Sequence, residues 1–189
     1  MHIAILALQG AFLEHQQMVR KLGATTHLIR NPRDLALPFD GLILPGGEST
    51  SMGKMLHDFS MIEPLKSLIQ SGTPVFGTCA GLVLLAKNGS NNGFSALETM
   101  DIHAKRNAYG RQLGSFYADI DIDNIGVFPG IFIRAPYIES VGQHVKVLAS
   151  HHDKIVMAQD GNQLATSFHP ELTDDVRIHQ YFLSICDIK

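Results

Sequence analysis

Thr73-Pro74-Val75-Phe76-Gly77-Thr78-Cys79-Ala80-Gly81-Leu82-Val83-Leu84-Leu85-Ala86 is the stretch whose reading decides the fold. Its first half has the length and apolar character of a buried strand, its second half that of an apolar helix, and Cys79 sits at the joint. A strand that passes into a helix with no loop bends the backbone sharply at one residue. Small neighbours, here Gly77, Ala80 and Gly81, permit that bend. A side chain at such a corner stands proud of the sheet, at a helix N-terminus whose unpaired N–H groups favour a thiolate. Cys79 therefore reads as a nucleophile in a Gly-x-Cys-x-Gly elbow, against the plainer reading of a buried, inert thiol.

Working outward, the chain alternates strands and helices. Met1 to Leu8 is an apolar run of strand length. Ala11, His15, Met18, Val19 and Leu22 then recur at helical spacing until Gly23. Thr25 to Ile29 and Gly41 to Leu44 read as further strands, and Glu63 to Ile69 as a helix before the central strand. This alternation predicts a three-layer α/β architecture: a mostly parallel sheet with helices on both faces. Ligand sites in such sheets lie at the carboxyl ends of the strands, so Gln9-Gly10, Gly46-Gly47-Glu48 and Cys79 are expected on one edge. Pro45 to Thr50 places a glycine pair after a strand, with Ser49 or Thr50 as N-cap of a helix through Leu56. Such a loop can aim an N–H at a reacting oxygen, or it can be a plain tight turn. It lacks the Gly-Lys-Ser/Thr pattern of a phosphate loop.

Beyond Asn88 the texture changes. Asn88 to Gly93 is turn-rich. Phe116, Ala118, Ile120 and Ile122 alternate with polar partners, strands are expected at Gly130 to Arg134 and Val145 to Ser150, and a hairpin is expected at Ile155 to Gln159 and Gln163 to Phe168. The second half reads as an antiparallel extension of one sheet in a single domain spanning residues 1–189, since no linker separates it. In Ser167-Phe168-His169-Pro170-Glu171-Leu172-Thr173, extended geometry would point His169 and Glu171 the same way, so that the carboxylate orients the imidazole. The competing reading is an ordinary surface histidine. Thr173, Asp174 and Asp175 are expected to cap a closing helix with Ile178, Tyr181, Phe182 and Ile185 buried.

The 189 residues suffice for a core without staples, and 45% hydrophobic with 17% charged residues is ordinary for a globular protein. A net charge of −3 gives no electrostatic footprint for nucleic acid. The apolar start is too short to span a membrane and lacks signal-peptide features, so a cytoplasmic chain is expected. Of the two cysteines, Cys186 reads as packing on the last helix, and a disulfide to Cys79 is not expected. No histidine spacing suggests a metal, and no cofactor is called for.

A cysteine elbow with a late His-Pro-Glu supplies the parts of a nucleophile, base and orienting acid. At this point the chain resembles the class I glutamine amidotransferases. More narrowly, Ala7 to Gly10, Leu44 to Thr50, Phe76 to Gly81, Arg106-Asn107 with Gly110-Arg111-Gln112, Phe132 to Pro136 and Ser167 to Thr173 resemble the glutaminase subunits of pyridoxal phosphate synthases. The resemblance spans almost the whole chain. It implies a glutaminase with Cys79, His169 and Glu171 as the triad, the backbone N–H groups of Gly47 and Ala80 as oxyanion hole, and Gly46, Gly47, Glu48, Arg106, Ile133 and Arg134 around L-glutamine. It also implies a partner, a barrel-shaped synthase subunit in a hetero-oligomer, which consumes the ammonia. Without it, Arg106 and Arg134 would pass as surface arginines. Ala108, Tyr109, Tyr137 and Gly53-Lys54 depart from the usual pattern but leave the triad untouched. A glutaminase of another pathway would lack the Arg-Asn and Ile-Arg blocks, and a redox sensor or chaperone on the same scaffold would have no need of His169-Pro170-Glu171.

Overall fold

A computed structural model describes residues 1–87, 96–106 and 114–188. The turn-rich run expected from Asn88 to Gly93, and Asn107, Ala108, Tyr109, Gly110, Arg111 and Gln112, lie outside the described residues. The element order is β1 (His2–Leu6), α1 (Phe12–Lys21), β2 (Thr25–Ile29), β3 (Gly41–Leu44), α2 (Ser49–Asp58), α3 (Ile62–Gln70), β4 (Val75–Thr78) and α4 (Ala80–Leu85). It continues with β5 (Ile102–Lys105), β6 (Ser115–Ile122), β7 (Gly126–Ile133), β8 (Tyr137–Val141), β9 (Lys146–His151), β10 (Lys154–Asp160), β11 (Gln163–Thr166) and α5 (Arg177–Asp187).

Strands β3 and β4 are buried at every position, as expected for strands covered on both faces. They lie within a sheet ordered β2-β1-β3-β4-β11-β10-β8-β5, with β9 also paired to β10. The pairings from β2 through β11 are parallel, and those of β10, β8, β5 and β9 are antiparallel. The expected antiparallel extension is present. Side-chain alternation divides the core: Ala4, Leu6, Leu42 and Leu44 pack on one face with residues of α2, α3 and α4. Ile3, Ile5, Ile43 and Phe76 pack on the other with α1, α5 and the β6–β7 ribbon.

Four local expectations are corrected. The strand expected at 130–134 is the end of a longer β7, which among the described residues pairs only with β6, so this ribbon is a separate two-stranded sheet rather than part of the main one. Its inward residues Ile120, Ile122, Phe128 and Phe132 are buried, while Tyr117 and Val127 face outward. Strands β5 and β8 were not anticipated; Ile102 and Ala104 alternate with His103 and Lys105 over only four residues, too short a period to stand out. The cap of α2 is Glu48, whose carboxylate accepts from Thr50 N (3.0 Å) and Ser51 N (2.7 Å), because a longer side chain one residue earlier reaches the same free donors. Finally, α5 starts at Arg177 with no side-chain cap. Thr173 instead closes the preceding turn, its hydroxyl accepting from Asp175 N, and Asp175 accepts from Arg177 N. Tyr181 is only half-buried, and His179 takes its place in the buried stripe.

Candidate active site

Cys79 occupies the joint between β4 and α4 with φ 48° and ψ −99°, a conformation that L-residues adopt only at a cost of about 1–3 kcal/mol. The surroundings hold it there. Its N–H donates to Thr166 O at 2.8 Å, tying the elbow to the end of the neighbouring strand β11. A Cβ on Gly77 would stand 2.7 Å from the Gly81 carbonyl carbon, and one on Gly81 would collide with Leu44 O. The small residues expected at the bend are thus required by close backbone approach.

His169 follows β11 by three residues. It is not in a strand, as the sequence suggested, but caps a 3-10 turn, Pro170–Leu172, with φ −108° and ψ 84°. Proline at the first turn position and the hydrogen bond from His169 N to Ile131 O (2.8 Å) fix this curl. The turn brings Glu171 Oε1 to 2.7 Å from His169 Nδ1. Nδ1–H therefore donates to the carboxylate, leaving Nε2 as the nitrogen for the thiol. Burial pushes the imidazole down, but the Cys79 side chain hydrogen-bonded to it and the Glu171 carboxylate outweigh burial, and His169 is raised to about 10. Cys79, His169 and Glu171 are all buried.

A cavity of about 430 Å³ opens at the carboxyl edge of the parallel strands, lined among others by Gln9, Gly46, Gly47, Glu48, Cys79, Ala80, Arg106, Ile133, Arg134 and His169. Every site residue expected from the sequence lines it except Glu171, which stands behind His169. Gly46 packs so closely that a Cβ would strike His169 Cε1. Ala11 N donates to Gly46 O at 3.1 Å, and Gln9 Oε1 accepts from Glu48 N at 3.1 Å, so the first strand's exit anchors the glycine loop. Ala80 opens α4, where an N–H has no partner within the helix. Arg106 Nη2 donates to Thr50 Oγ1 at 3.0 Å and lies 3.5 Å from Glu48 Oε1. Burial would raise the Glu48 carboxyl, but the N–H groups of Ser51 and Thr50 and the nearby Arg106 hold it below its ordinary value. Ile133 O lies 4.0 Å from Cys79 Sγ, and Arg134, with φ 42°, donates its N–H to Gly114 O.

Behind Glu171 lies a buried group that the sequence reading left without a role: His15 from α1, Thr78 from β4 and His179 from α5, all fully buried. The available signal was a histidine at a buried position of an otherwise apolar helix face. Among the described residues no group of three or more His, Cys, Asp or Glu side chains could hold a metal ion, and no helix is long and apolar enough to cross a membrane.

The doubly covered α/β sheet carries a cysteine elbow beside a histidine–carboxylate pair, and the chains it resembles are glutamine amidotransferases. One solved structure, described as a glutamine amidotransferase, matches with TM-score 0.93 and 39% identity, covering 98% of this chain and 99% of its own. The chain belongs to the SNO glutamine amidotransferase family, whose profile matches residues 5–188. It is 54% identical over 191 residues, with both chains fully covered, to pyridoxal 5'-phosphate synthase subunit PdxT of Haemophilus influenzae. It is likewise 54% identical over 192 residues to the PdxT of Streptococcus pneumoniae, again with both chains fully covered. A putative GMP synthase component from Thermoplasma acidophilum shares the fold at TM-score 0.70 and 20% identity, covering 98% of this chain and 94% of its own.

Proposed function

We propose that residues 1–189 form one cytoplasmic glutaminase domain that hydrolyses L-glutamine to L-glutamate and ammonia and delivers the ammonia to a synthase subunit making pyridoxal 5'-phosphate. The observation that carries the chemistry is the placement of Cys79 against a His169 held at 2.7 Å by Glu171. Full-length identity of 54% to synthase subunits supports the pathway.

In this reading the Cys79 thiolate attacks the side-chain amide carbon, and the oxyanion meets the N–H groups of Gly47 and Ala80. His169, protonated at the start, gives its proton to the departing ammonia. It then takes a proton from the water that opens the glutamyl thioester. Glu171 keeps the imidazole in the tautomer and orientation that both steps need. Gly46, Gly47, Glu48, Arg106, Ile133 and Arg134 surround the bound glutamine. Because Glu48 spends its carboxylate on the cap of α2 and on Arg106, its side chain serves chiefly to fix the loop. The synthase subunit is read as a barrel enzyme joined to this chain in a hetero-oligomer.

The test is glutamate release from glutamine by the purified chain mixed with its synthase subunit. Absence of glutamate in that mixture would overturn the proposal.

A further inference from the structure

Glu171 uses one carboxylate oxygen on His169. The other, Oε2, is buried and has no hydrogen bond among the described residues. A buried carboxylate oxygen left without a donor is costly, and this one belongs to the group that orients the base. The side chain that faces it is His15, whose Nε2 stands 3.5 Å away and also 3.1 Å from Thr78 Oγ1. The 3.5 Å contact is not an ion pair. Burial, with His179 and His169 adding to it, holds His15 well below the ordinary histidine range, so the ring is neutral.

The tautomer follows from the third member of the group. His15 Nδ1 and His179 Nε2 are 2.9 Å apart, so one of them carries the hydrogen. His179 Nδ1 is buried and has no partner among the described residues. A neutral His179 protonated at Nδ1 would leave an N–H donor orphaned in the core, whereas protonation at Nε2 leaves only an unused lone pair, the cheaper defect. His179 Nε2–H therefore donates to His15 Nδ1. That obliges His15 to carry its own hydrogen on Nε2, the nitrogen directed at Thr78 and Glu171. Phe76 closes the group edge-on, its ring centroid 5.9 Å from His15 and 5.8 Å from His179.

We infer that His15 is a positioning residue for the glutaminase site: its Nε2–H, set by His179, restrains the second oxygen of Glu171 and ties it to Thr78 on the strand that carries Cys79. The inference rests on the glutaminase reading above. His15 touches neither substrate nor nucleophile, so its effect passes through Glu171 to His169 and falls on turnover rather than on glutamine binding.

The test uses the complex with the synthase subunit. His15→Phe keeps the ring's bulk and removes the donor; it is expected to lower kcat about 10-fold, the scale of coupling between touching residues, with KM for glutamine unchanged. His15→Gln, which can return an N–H to the Nε2 position, is expected to recover most of that loss. Combined with Glu171→Ala, His15→Phe is expected to cost nothing further. An equal loss in both backgrounds, or a fall in glutamine affinity alone, would overturn the role. If His15→Phe fails to fold, histidine ¹⁵N shifts of the wild-type chain decide: Nε2 protonated and Nδ1 bare across neutral pH is expected, and the opposite tautomer refutes the assignment. That readout does not depend on activity. A wild-type complex releasing no glutamate would sink the glutaminase reading instead.

Discussion

His169 Nδ1 and Glu171 Oε1 lie 2.7 Å apart although only one residue separates them in the chain, because Pro170 turns the backbone into a 3-10 curl that folds the carboxylate under the ring. In an extended strand the two side chains would stand side by side and solvent could reach both. In the curl the carboxylate is buried beneath the imidazole, which bears directly on how the site responds to pH.

Glu171→Gln removes the negative charge that helps hold His169 near 10. With that support gone, burial drives the imidazole down, so the alkaline limb of kcat/KM for glutamine is expected to move from near pH 10 toward neutrality. Some turnover should remain, since the amide oxygen can still accept from Nδ1–H. His169→Ala, which deletes the proton carrier, is expected to be nearly as inactive as loss of the nucleophile. A pH–rate profile on the complexes checks both, and an unmoved limb in Glu171→Gln would count against the pairing.

Cys79→Ala and Cys79→Gly are both expected to abolish glutamine hydrolysis, and their stabilities should differ in an informative direction. At φ 48° and ψ −99° a Cβ is strained, so glycine is expected to be the more stable of the two by about 1 kcal/mol, the reverse of the usual order. Thermal denaturation of the two variants measures this. A more stable alanine variant would mean that the elbow relaxes freely.

His179 is held down to about 3 by burial, far below the 6.5 of an exposed histidine. Between those values the unfolded chain binds a proton at this position and the folded chain does not. Stability therefore is complete above about pH 6.5 and falls as pH drops toward 3, by about 1.4 kcal/mol per pH unit for this residue alone. Urea denaturation midpoints from pH 7 to pH 4 should show the decline, and His179→Phe should make it shallower. An equal slope in that variant would place the acid sensitivity elsewhere.

Nothing among the described residues offers a second constellation to use ammonia, so uncoupled hydrolysis would waste glutamine. The donor proposed at Gly47 belongs to the peptide whose carbonyl, Gly46 O, accepts from Ala11 N, so its orientation is set by the turn at residues 9–11 at the mouth of the cavity. The isolated chain is expected to be weakly active, and the synthase subunit to raise turnover by roughly 10²–10³-fold, the worth of one oxyanion donor. Glutamate production with and without saturating partner measures it; equal rates would show a site that is ready without help.

Much of this protein is legible in one dimension. The apolar runs at Ile3–Leu6, Leu42–Leu44 and Val75–Phe76 declare doubly covered strands, since strands covered on both faces need no polar alternation. Small residues around Cys79 declare an elbow, because only they fit backbone atoms at such close range. The Pro45–Thr50 and Ser167–Thr173 stretches carry their chemistry in residue types alone. What the sequence could not decide is pairing. Local periodicity says which side of a strand is buried but not which strand lies beside it. Placing β11 against β4, with Thr166 opposite Thr78, is what brings His169 to a cysteine 90 positions earlier. The β6–β7 ribbon carries the same alternation as a sheet strand, and only packing sets it apart. His15, Thr78 and His179 come from three elements whose local patterns are those of ordinary core, and their polarity acquires meaning only where tertiary contact turns them toward one another and toward Glu171.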